Sequence, residues 1–433
     1  MRLLHTSDWH LGHELAGFDR RYEHACFLEF LAKTLVNEAV DVLLVTGDLF
    51  DVQTPPASAQ EMLYRFLVDV HRRAPKLRTI LLGGNHDSPA RLEAPHPFAT
   101  PLGITVVGAL PKQPAPLPHG VDFARCLLPI PTAEAPEAVL LAIPFLRTID
   151  LPVPGAEPEF ANVHATSFGV ASIYRQAFAE ASRRFPGLPV IAAGHMYLLD
   201  VNEEDLSLDT ERPILGGHQH AVPAAIFPED VAYVALGHLH KPQRVAKREN
   251  VRYSGSPIPL SFTEKNYKHS FVLFDSACSG PDQIQLVPIP RTVEFLAVPG
   301  KKKAQLGLGT ASAYGTKDLV LEELQKLPDV SKTPDEQRPF LTVTVVLDRP
   351  EPGLKEEIRK VIAPKGYRVV SIAESAGNIR HDEVRIPENV SRKIPSPREL
   401  LRQVLEDKYK SVDPALMALF EEAEQAVHEG EEP

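Results

Sequence analysis

The sequence predicts a layered α/β domain, followed by a small α+β unit and a C-terminal helical pair. Three observations carry this reading. Short apolar strand-like runs alternate with helix-period segments from residue 1 to about 275. The alternation fades around Pro281–Arg291, where a new unit begins, and two capped helical patterns close the chain. Strand, helix, strand in succession is the signature of a layered α/β architecture.

In chain order, Leu3–His5 reads as the first strand, and Leu28, Leu31 and Leu35 recur at helical spacing between Tyr22 and Ala39. The strand Val42–Val45 follows, then a helical stretch carrying Met62, Leu63, Phe66, Leu67 and Val70, then a strand at Thr79–Leu82. Pro111–Pro136 is rich in Pro and Ala and reads as irregular connection, with Phe123–Leu128 as a short edge strand. Further strands are expected at Val139–Ile143, Val190–Ala193, Val231–Leu236 and Phe271–Phe274. In the second unit, Phe340–Leu347 and Tyr367–Ile372 read as strands and Gly353–Ile362 as a helix. Ser396-Pro397-Arg398-Glu399 combines an N-cap, a first-turn proline and a capping-box Glu, and Asp413-Pro414 opens a second helix in the same way. The expected division is 1–280, 290–380 and 390–428.

Composition narrows the class. The chain has 433 residues, 43% hydrophobic and 24% charged, which excludes disorder of the whole chain. Its apolar runs are far too short to span a bilayer, and the N-terminus turns polar too early for a secretion signal. Three widely spaced cysteines favour neither a disulfide framework nor a thiol zinc site, and the expected compartment is the cytoplasm. A net charge of −11 argues against bulk coating of nucleic acid, but metal ions and a local basic patch can still serve a nucleic-acid enzyme.

Chemistry concentrates in short polar clusters just after strands: Asp8-Trp9-His10, Gly47-Asp48, Gly84-Asn85-His86-Asp87, Gly194-His195 and Gly237-His238-Leu239-His240. Side chains beyond the carboxyl ends of strands in an α/β sheet converge on one crevice. Carboxylates, an amide and imidazoles together suit divalent ions such as Mn²⁺, Fe²⁺ or Zn²⁺ rather than a thiol site or a calcium cage. The set is too large for one ion. Two ions sharing a carboxylate would clamp a phosphoryl centre and lower the pKa of a bridging water. Any one cluster alone is weak, because a lone Gly-His is usually a turn; five in this order are not.

These motifs resemble the calcineurin-like metallophosphoesterase family in order and type. The phrases His5-Thr6-Ser7-Asp8-Trp9-His10-Leu11-Gly12, Ala235–His240 and Tyr253-Ser254-Gly255-Ser256-Pro257 resemble more narrowly its nuclease branch, which works beside an SbcC-type ATPase. The resemblance implies two sheets flanked by helices, a DNA-capping small domain and terminal helices docking on the ATPase. It implies that Asp8, His10 and His240 hold one ion, that Asn85, His195 and His238 hold another, and that Asp48 bridges them. The ions would be Mn²⁺, with Mg²⁺ or Fe²⁺ as alternatives. His86 would lie beside the scissile phosphate, oriented by Asp51 or by Asp87; the residues do not choose between these carboxylates. It further implies ATP-dependent 3′→5′ exonuclease action on duplex DNA, single-strand endonuclease action, and a homodimer within a heterotetramer. No Gly-x-x-x-x-Gly-Lys-Ser/Thr loop occurs, so ATP would be handled by the partner.

Gly217-His218-Gln219-His220 has the same form as the His238 motif but follows a poor strand, so the ligand role is assigned to His238 and His240. His13 reads as a loop imidazole with a substrate-side role as the alternative. Expected DNA contacts are Lys241, Arg244, Lys247, Arg248 and Arg252 near the cleft and Lys301, Lys302 and Lys303 in the small domain.

Overall fold

In a computed structural model, the described residues are 1–112, 120–152, 165–198, 222–300, 315–347 and 351–376, together with Arg402, Met417 and Phe420. The chain divides into two compact units, Met1–Gly377 and Asn378–Pro433. The three described residues of the second unit are helical. The expected terminal helix pair otherwise lies outside the described residues, as do His218, His220, Lys301, Lys302 and Lys303.

The first unit opens with β1 (Arg2–Thr6), a two-stranded hairpin of β2 (Glu14–Leu15) and β3 (Phe18–Asp19), and helix α1 (Arg21–Asn37). It continues through β4 (Val42–Thr46), α2 (Ala57–Arg73), β5 (Arg78–Leu82), the short helices α3 (Pro89–Glu93) and α4 (His96–Ala99), and β6 (Ile104–Val107). Next come β7 (Leu127–Pro131), β8 (Pro136–Ala142), α5 (Ala165–Arg184), β9 (Val190–His195), β10 (Tyr233–Gly237), β11 (Gln243–Val245) and β12 (Arg248–Tyr253). The nuclease-like part ends with β13 (Ser270–Asp275) and β14 (Ile284–Pro288). The strands form two six-stranded sheets, ordered β14-β13-β1-β4-β5-β6 and β11-β12-β10-β9-β8-β7.

The strand residues explain the layering. Alternate positions of one strand point to opposite faces. Leu4, Leu43 and Val45 therefore pack with Leu31, Leu35 and Leu63 of α1 and α2. Leu3, Val42 and Leu44 face Leu140, Ile191 and Ala235 of the other sheet. On the outer side of the second sheet, Val139, Ala192 and Val234 pack with Ile173, Tyr174 and Ala177 of α5. The result is a helix–sheet–sheet–helix sandwich whose central strands are apolar on both faces.

The sequence reading needs adjustment at several places. Phe123–Arg125 is a single 3-10 turn capped by the Asp122 side chain, and the edge strand starts after it, at Leu127. Placing it at the sheet edge was sound, because prolines 129 and 131 cannot donate to a ladder. The first unit's sheet also runs past residue 280, since β14 pairs antiparallel with β13. Helix α5 was not anticipated from the sequence.

The small domain is a three-stranded sheet of β15 (Phe295–Val298), β16 (Phe340–Leu347) and β17 (Arg368–Ala376), with helices α6 (Lys317–Lys326) and α7 (Leu354–Ile362). Its core comprises Val298, Val320, Leu324, Val343, Ile358 and neighbours. Phe295 and Phe340 pack with Leu15 and Phe18, joining this sheet to the β2–β3 hairpin. At that junction Arg20 is fully buried, paired with Glu23 through two nitrogens and lying 5.1 Å from the Phe340 ring centroid.

Candidate metal centre

Strands β1, β4 and β5 of one sheet run parallel, as do β9 and β10 of the other. Their carboxyl ends deliver Asp8 and His10, Asp48, Asn85 and His86, His195, and His238 and His240 to one place. The backbone turns sharply there. Asp8, His10, Asp48 and His238 all have positive φ, between 46° and 104°, in a region that side chains with a Cβ seldom occupy. Strain concentrated on potential ligands is characteristic of a site that the surrounding structure over-determines. The glycines matter by their absence of side chain: a Cβ on Gly84 would fall 2.1 Å from Asp48 Oδ1, and one on Gly237 would fall 2.0 Å from the Thr46 carbonyl oxygen.

The ligand atoms converge in two groups. Ligand atoms of Asp8, His10 and His240 lie within 4.8 Å of one another, and so do those of Asp8, Asp48 and His195. Asn85 Oδ1 sits 2.8 Å from His195 Nε2 and 3.2 Å from His238 Nδ1. Asp48 Oδ2 stands between the groups, 3.6 Å from His10 Nε2 and 3.3 Å from His195 Nε2. All seven residues predicted as ligands are therefore brought together, with Asp48 where a shared carboxylate belongs. Asp8 also approaches the Asp48–His195 group, which the sequence did not suggest.

Each imidazole is aimed by a partner behind it. His10 Nδ1–H donates to Asp51 Oδ1 (3.1 Å), His195 Nδ1–H to the Thr46 carbonyl (2.8 Å), and His240 Nδ1–H to Glu264 Oε1 (3.1 Å). These bonds leave Nε2 of each ring as the lone-pair nitrogen facing the cluster, the usual support for metal-ligating histidine. His10 Nε2 is buried and has no hydrogen-bond partner among the described residues. A buried lone pair without a donor is costly unless something else occupies it. That orphan, with the oxygen and imidazole donors around it, fits a divalent cation.

Electrostatics agree. Burial raises the Asp8 carboxyl above its usual range. Burial acts the same way on Asp48, but the His195 charge outweighs it and holds Asp48 well below that range. His195 is likewise desolvated, yet Asp48 and then Asp8 push it up to about 9. Burial drives His238 down to about 3, so its imidazole is neutral and its lone pair available.

His86 stands at the edge of the cluster, its ring centroid 4.8 Å from that of His10. Its backbone N–H donates to Asp48 Oδ1 (2.8 Å) and its Nδ1–H to the Asp51 backbone carbonyl (2.8 Å). Neither carboxylate offered by the sequence orients it. The Asp51 carboxylate is taken by His10 and by His13, whose Nδ1 is 3.0 Å away. The Asp87 carboxylate accepts the N–H groups of Leu49, Phe50 and Gly84, tying the loops after β4 and β5 together. His13 Nε2 lies 2.8 Å from the Leu260 carbonyl, so both ring nitrogens are engaged in structure rather than substrate.

Sequence reasoning missed Glu264, which is fully buried, and Thr46 and Ser7; the Ser7 hydroxyl bonds the Asp8 carboxylate and Ser254. Only the phrase Tyr253-Ser254-Gly255-Ser256-Pro257 hinted that this region returns to the site. The basic set is less free than expected. Arg244 and Arg252 both pair with Glu249, and Arg248 donates to the Phe227 and Pro228 carbonyls, while Lys247 is exposed at the β11–β12 turn. Lys241 lies 5.8 Å from the Tyr267 ring centroid.

With this geometry in view, comparison with known proteins is decisive. Residues 1–242 match the calcineurin-like phosphoesterase family model. The SbcD component of the nuclease SbcCD from Rhodobacter capsulatus is 36% identical over 91% of this chain and 92% of its own length. The chain belongs to this phosphoesterase family, in its SbcD branch. The Escherichia coli K12 counterpart is 33% identical over 78% of this chain and 79% of its own length. Residues 312–409 match a model described as the type 5 capsule protein repressor C-terminal domain. Among solved structures, Pseudomonas putida nuclease MPE aligns with a TM-score of 0.20 at 18% identity, over 46% of this chain and 62% of that one. Family membership makes this member of the SbcD branch a metal-dependent hydrolase of nuclease type.

Proposed function

We propose that the chain is a Mn²⁺-dependent DNA nuclease using two ions, with ATP-dependent 3′→5′ exonuclease action on duplex DNA and endonuclease action on single strands. The observation that carries this reading is Asp48 Oδ2 between two groups of nitrogen and oxygen donors. Asp8, His10 and His240 would hold one ion, Asn85, His195 and His238 the other, with Asp48 shared. Such ions supply Lewis acidity toward a phosphoryl oxygen and a nucleophilic water at neutral pH. The chain's own residues do the positioning. Asp51, Thr46 and Glu264 hold three imidazoles in their ligand tautomers, and Asp87 clamps the Asp48 and His86 loops. His86, held through Nδ1, presents its other nitrogen to stabilise charge on the departing oxygen or to protonate it. DNA contact would fall to Lys247 and to the hairpin arginines 244 and 252 where Glu249 leaves them charge to share, with Lys301 and Lys302 as further candidates.

The names of the relatives support an SbcC-type ATPase as partner, engaged through the C-terminal helices, in the cytoplasm. No helix among the described residues is long and apolar enough to cross a membrane. A homodimer within a heterotetramer is supported by an apolar face on α2 and α4, where Tyr64, Val68, Phe98 and Leu102 are exposed, Phe98 to 83%.

The rival is a phosphatase for nucleotides or phosphoproteins built on the same metal centre. Assay of the Mn²⁺-loaded chain on linear DNA and on mononucleotides separates the two, and activity confined to mononucleotides would overturn the nuclease reading. Replacing His86→Asn should abolish cleavage while leaving metal stoichiometry unchanged; surviving cleavage would remove His86 from the reaction.

A further inference from the structure

Next to the metal-ligand cluster is a cavity of about 250 Å³ that the chemistry above does not use. Phe145, Val170, Met196 and Tyr197 wall it, His195 forms the side shared with the cluster, and Arg147 stands at its polar rim. Phe145 meets His195 edge to face, with ring centroids 6.1 Å apart and planes at 82°.

The walls are fixed before anything enters. The Tyr253 hydroxyl donates to the Met196 carbonyl (2.8 Å) and accepts the Leu198 N–H (3.0 Å), pinning the segment after β9. The Phe145 N–H donates to the Gly83 carbonyl (2.8 Å), which ties this wall to the loop that carries Asn85 and His86. A rigid apolar recess loses little entropy on filling. Its charge is already neutralised, because the Arg147 guanidinium is held by both Asp150 oxygens at 2.9 and 3.1 Å.

Size and chemistry limit the occupant. Pockets for whole small molecules usually measure roughly 300–1,000 Å³. This one is smaller, has an aromatic and a thioether surface, and suits a single planar heterocycle. Since one of its walls is a ligand of the phosphate-processing centre, the heterocycle that reaches it is covalently attached to that phosphate. We propose that the cavity is a base-binding subsite, in which a nucleobase flanking the scissile phosphate leaves its stack and rests against Phe145 and Met196. This rests on the DNA reading above and deepens it. Extracting a base costs least when it is unpaired, so the subsite favours frayed ends, single strands and loops over duplex interiors. Recognition of a π-face tolerates every base, so no sequence preference accompanies it.

The test is an abasic walk. Single-stranded oligonucleotides carrying one abasic site at successive positions are cleaved by the full chain loaded with Mn²⁺, and cleavage is mapped at each bond. An abasic site beside a given bond should slow cleavage of that bond about tenfold or more, through KM, while sites several nucleotides away do nothing. Thr166→Trp, at another lining position, fills the recess from the surface of α5. This variant should bind the same number of Mn²⁺ ions, cleave the intact strand at the slow abasic rate, and show no further loss on the abasic one. Cleavage indifferent to the abasic position in the unmodified protein overturns the subsite and leaves the nuclease reading standing. Equal slowing of both strands by Thr166→Trp also overturns it. Failure to cleave any DNA overturns the nuclease reading itself, and the subsite with it.

Discussion

Replacing Glu264→Gln separates the two halves of the metal centre. The Glu264 carboxylate is wholly buried and accepts the His240 Nδ1–H at 3.1 Å and the Leu260 N–H at 2.8 Å. An amide of the same shape keeps one acceptor oxygen and turns the other into a donor. Whichever way it sits, an N–H meets another N–H, either at His240 or at Leu260. Leaving such a donor buried and unsatisfied costs about 1–3 kcal/mol. Loss of an outer partner of a ligating histidine typically weakens metal binding by about 10–100-fold, and the two figures agree. Because Glu264 supports His240 and not Asn85, His195 or His238, only one of two Mn²⁺ equivalents should weaken. Isothermal titration of metal-free protein with Mn²⁺ would show this as one shifted and one unshifted binding phase. Two phases weakened equally, or neither, would refute the assignment of Glu264 to a single ion.

Three further outcomes follow from the same geometry. Gly84→Ala drives a methyl into Asp48, 2.1 Å from its Oδ1 and 2.3 Å from its backbone nitrogen, and should abolish Mn²⁺ binding with about 1–3 kcal/mol of destabilisation, read by titration and urea midpoint. Burial, reinforced by the Arg20 charge, holds His24 down at about 3, and its Nδ1 has no hydrogen-bond partner among the described residues. The unfolded chain therefore takes up a proton below about 6.5 that the folded one refuses. The contribution of neutral His24 is complete above that pH and declines by about 1.4 kcal/mol per unit toward 3, a slope that urea midpoints of His24→Gln between pH 7 and 4 should show removed. Phe98→Asp places a charge on the exposed apolar face of α2 and α4 and should shift sedimentation from dimer to monomer without altering Mn²⁺ binding; an unchanged dimer would move the interface elsewhere.

How much of this was legible in advance depends on how local each feature is. The strands β1, β4, β5, β9 and β10 are short apolar runs bounded by glycine and polar residues, so their positions and the seven ligands behind them could be read along the chain. Helix α5 could not, because its apolar positions are mostly Ala and scattered among polar ones, and only packing against Ala192 and Val234 makes them a face. The order of the sheets was equally invisible: β13 pairs with β1 across the whole domain, a contact no local pattern encodes.

At the site the same line divides identity from orientation. Residue type and order determined which side chains could ligate metal, since donor chemistry belongs to each residue alone. Which nitrogen of each imidazole faces the centre was decided by Thr46, Asp51 and Glu264, from three separate segments of the chain. Likewise, two plausible carboxylates competed for His86 in the sequence, and the folded chain used neither, supplying the Asp51 backbone carbonyl instead. A hydrogen bond depends on distances and directions to within tenths of an ångström, and those exist only once the two sheets have packed and brought their strand ends to one side.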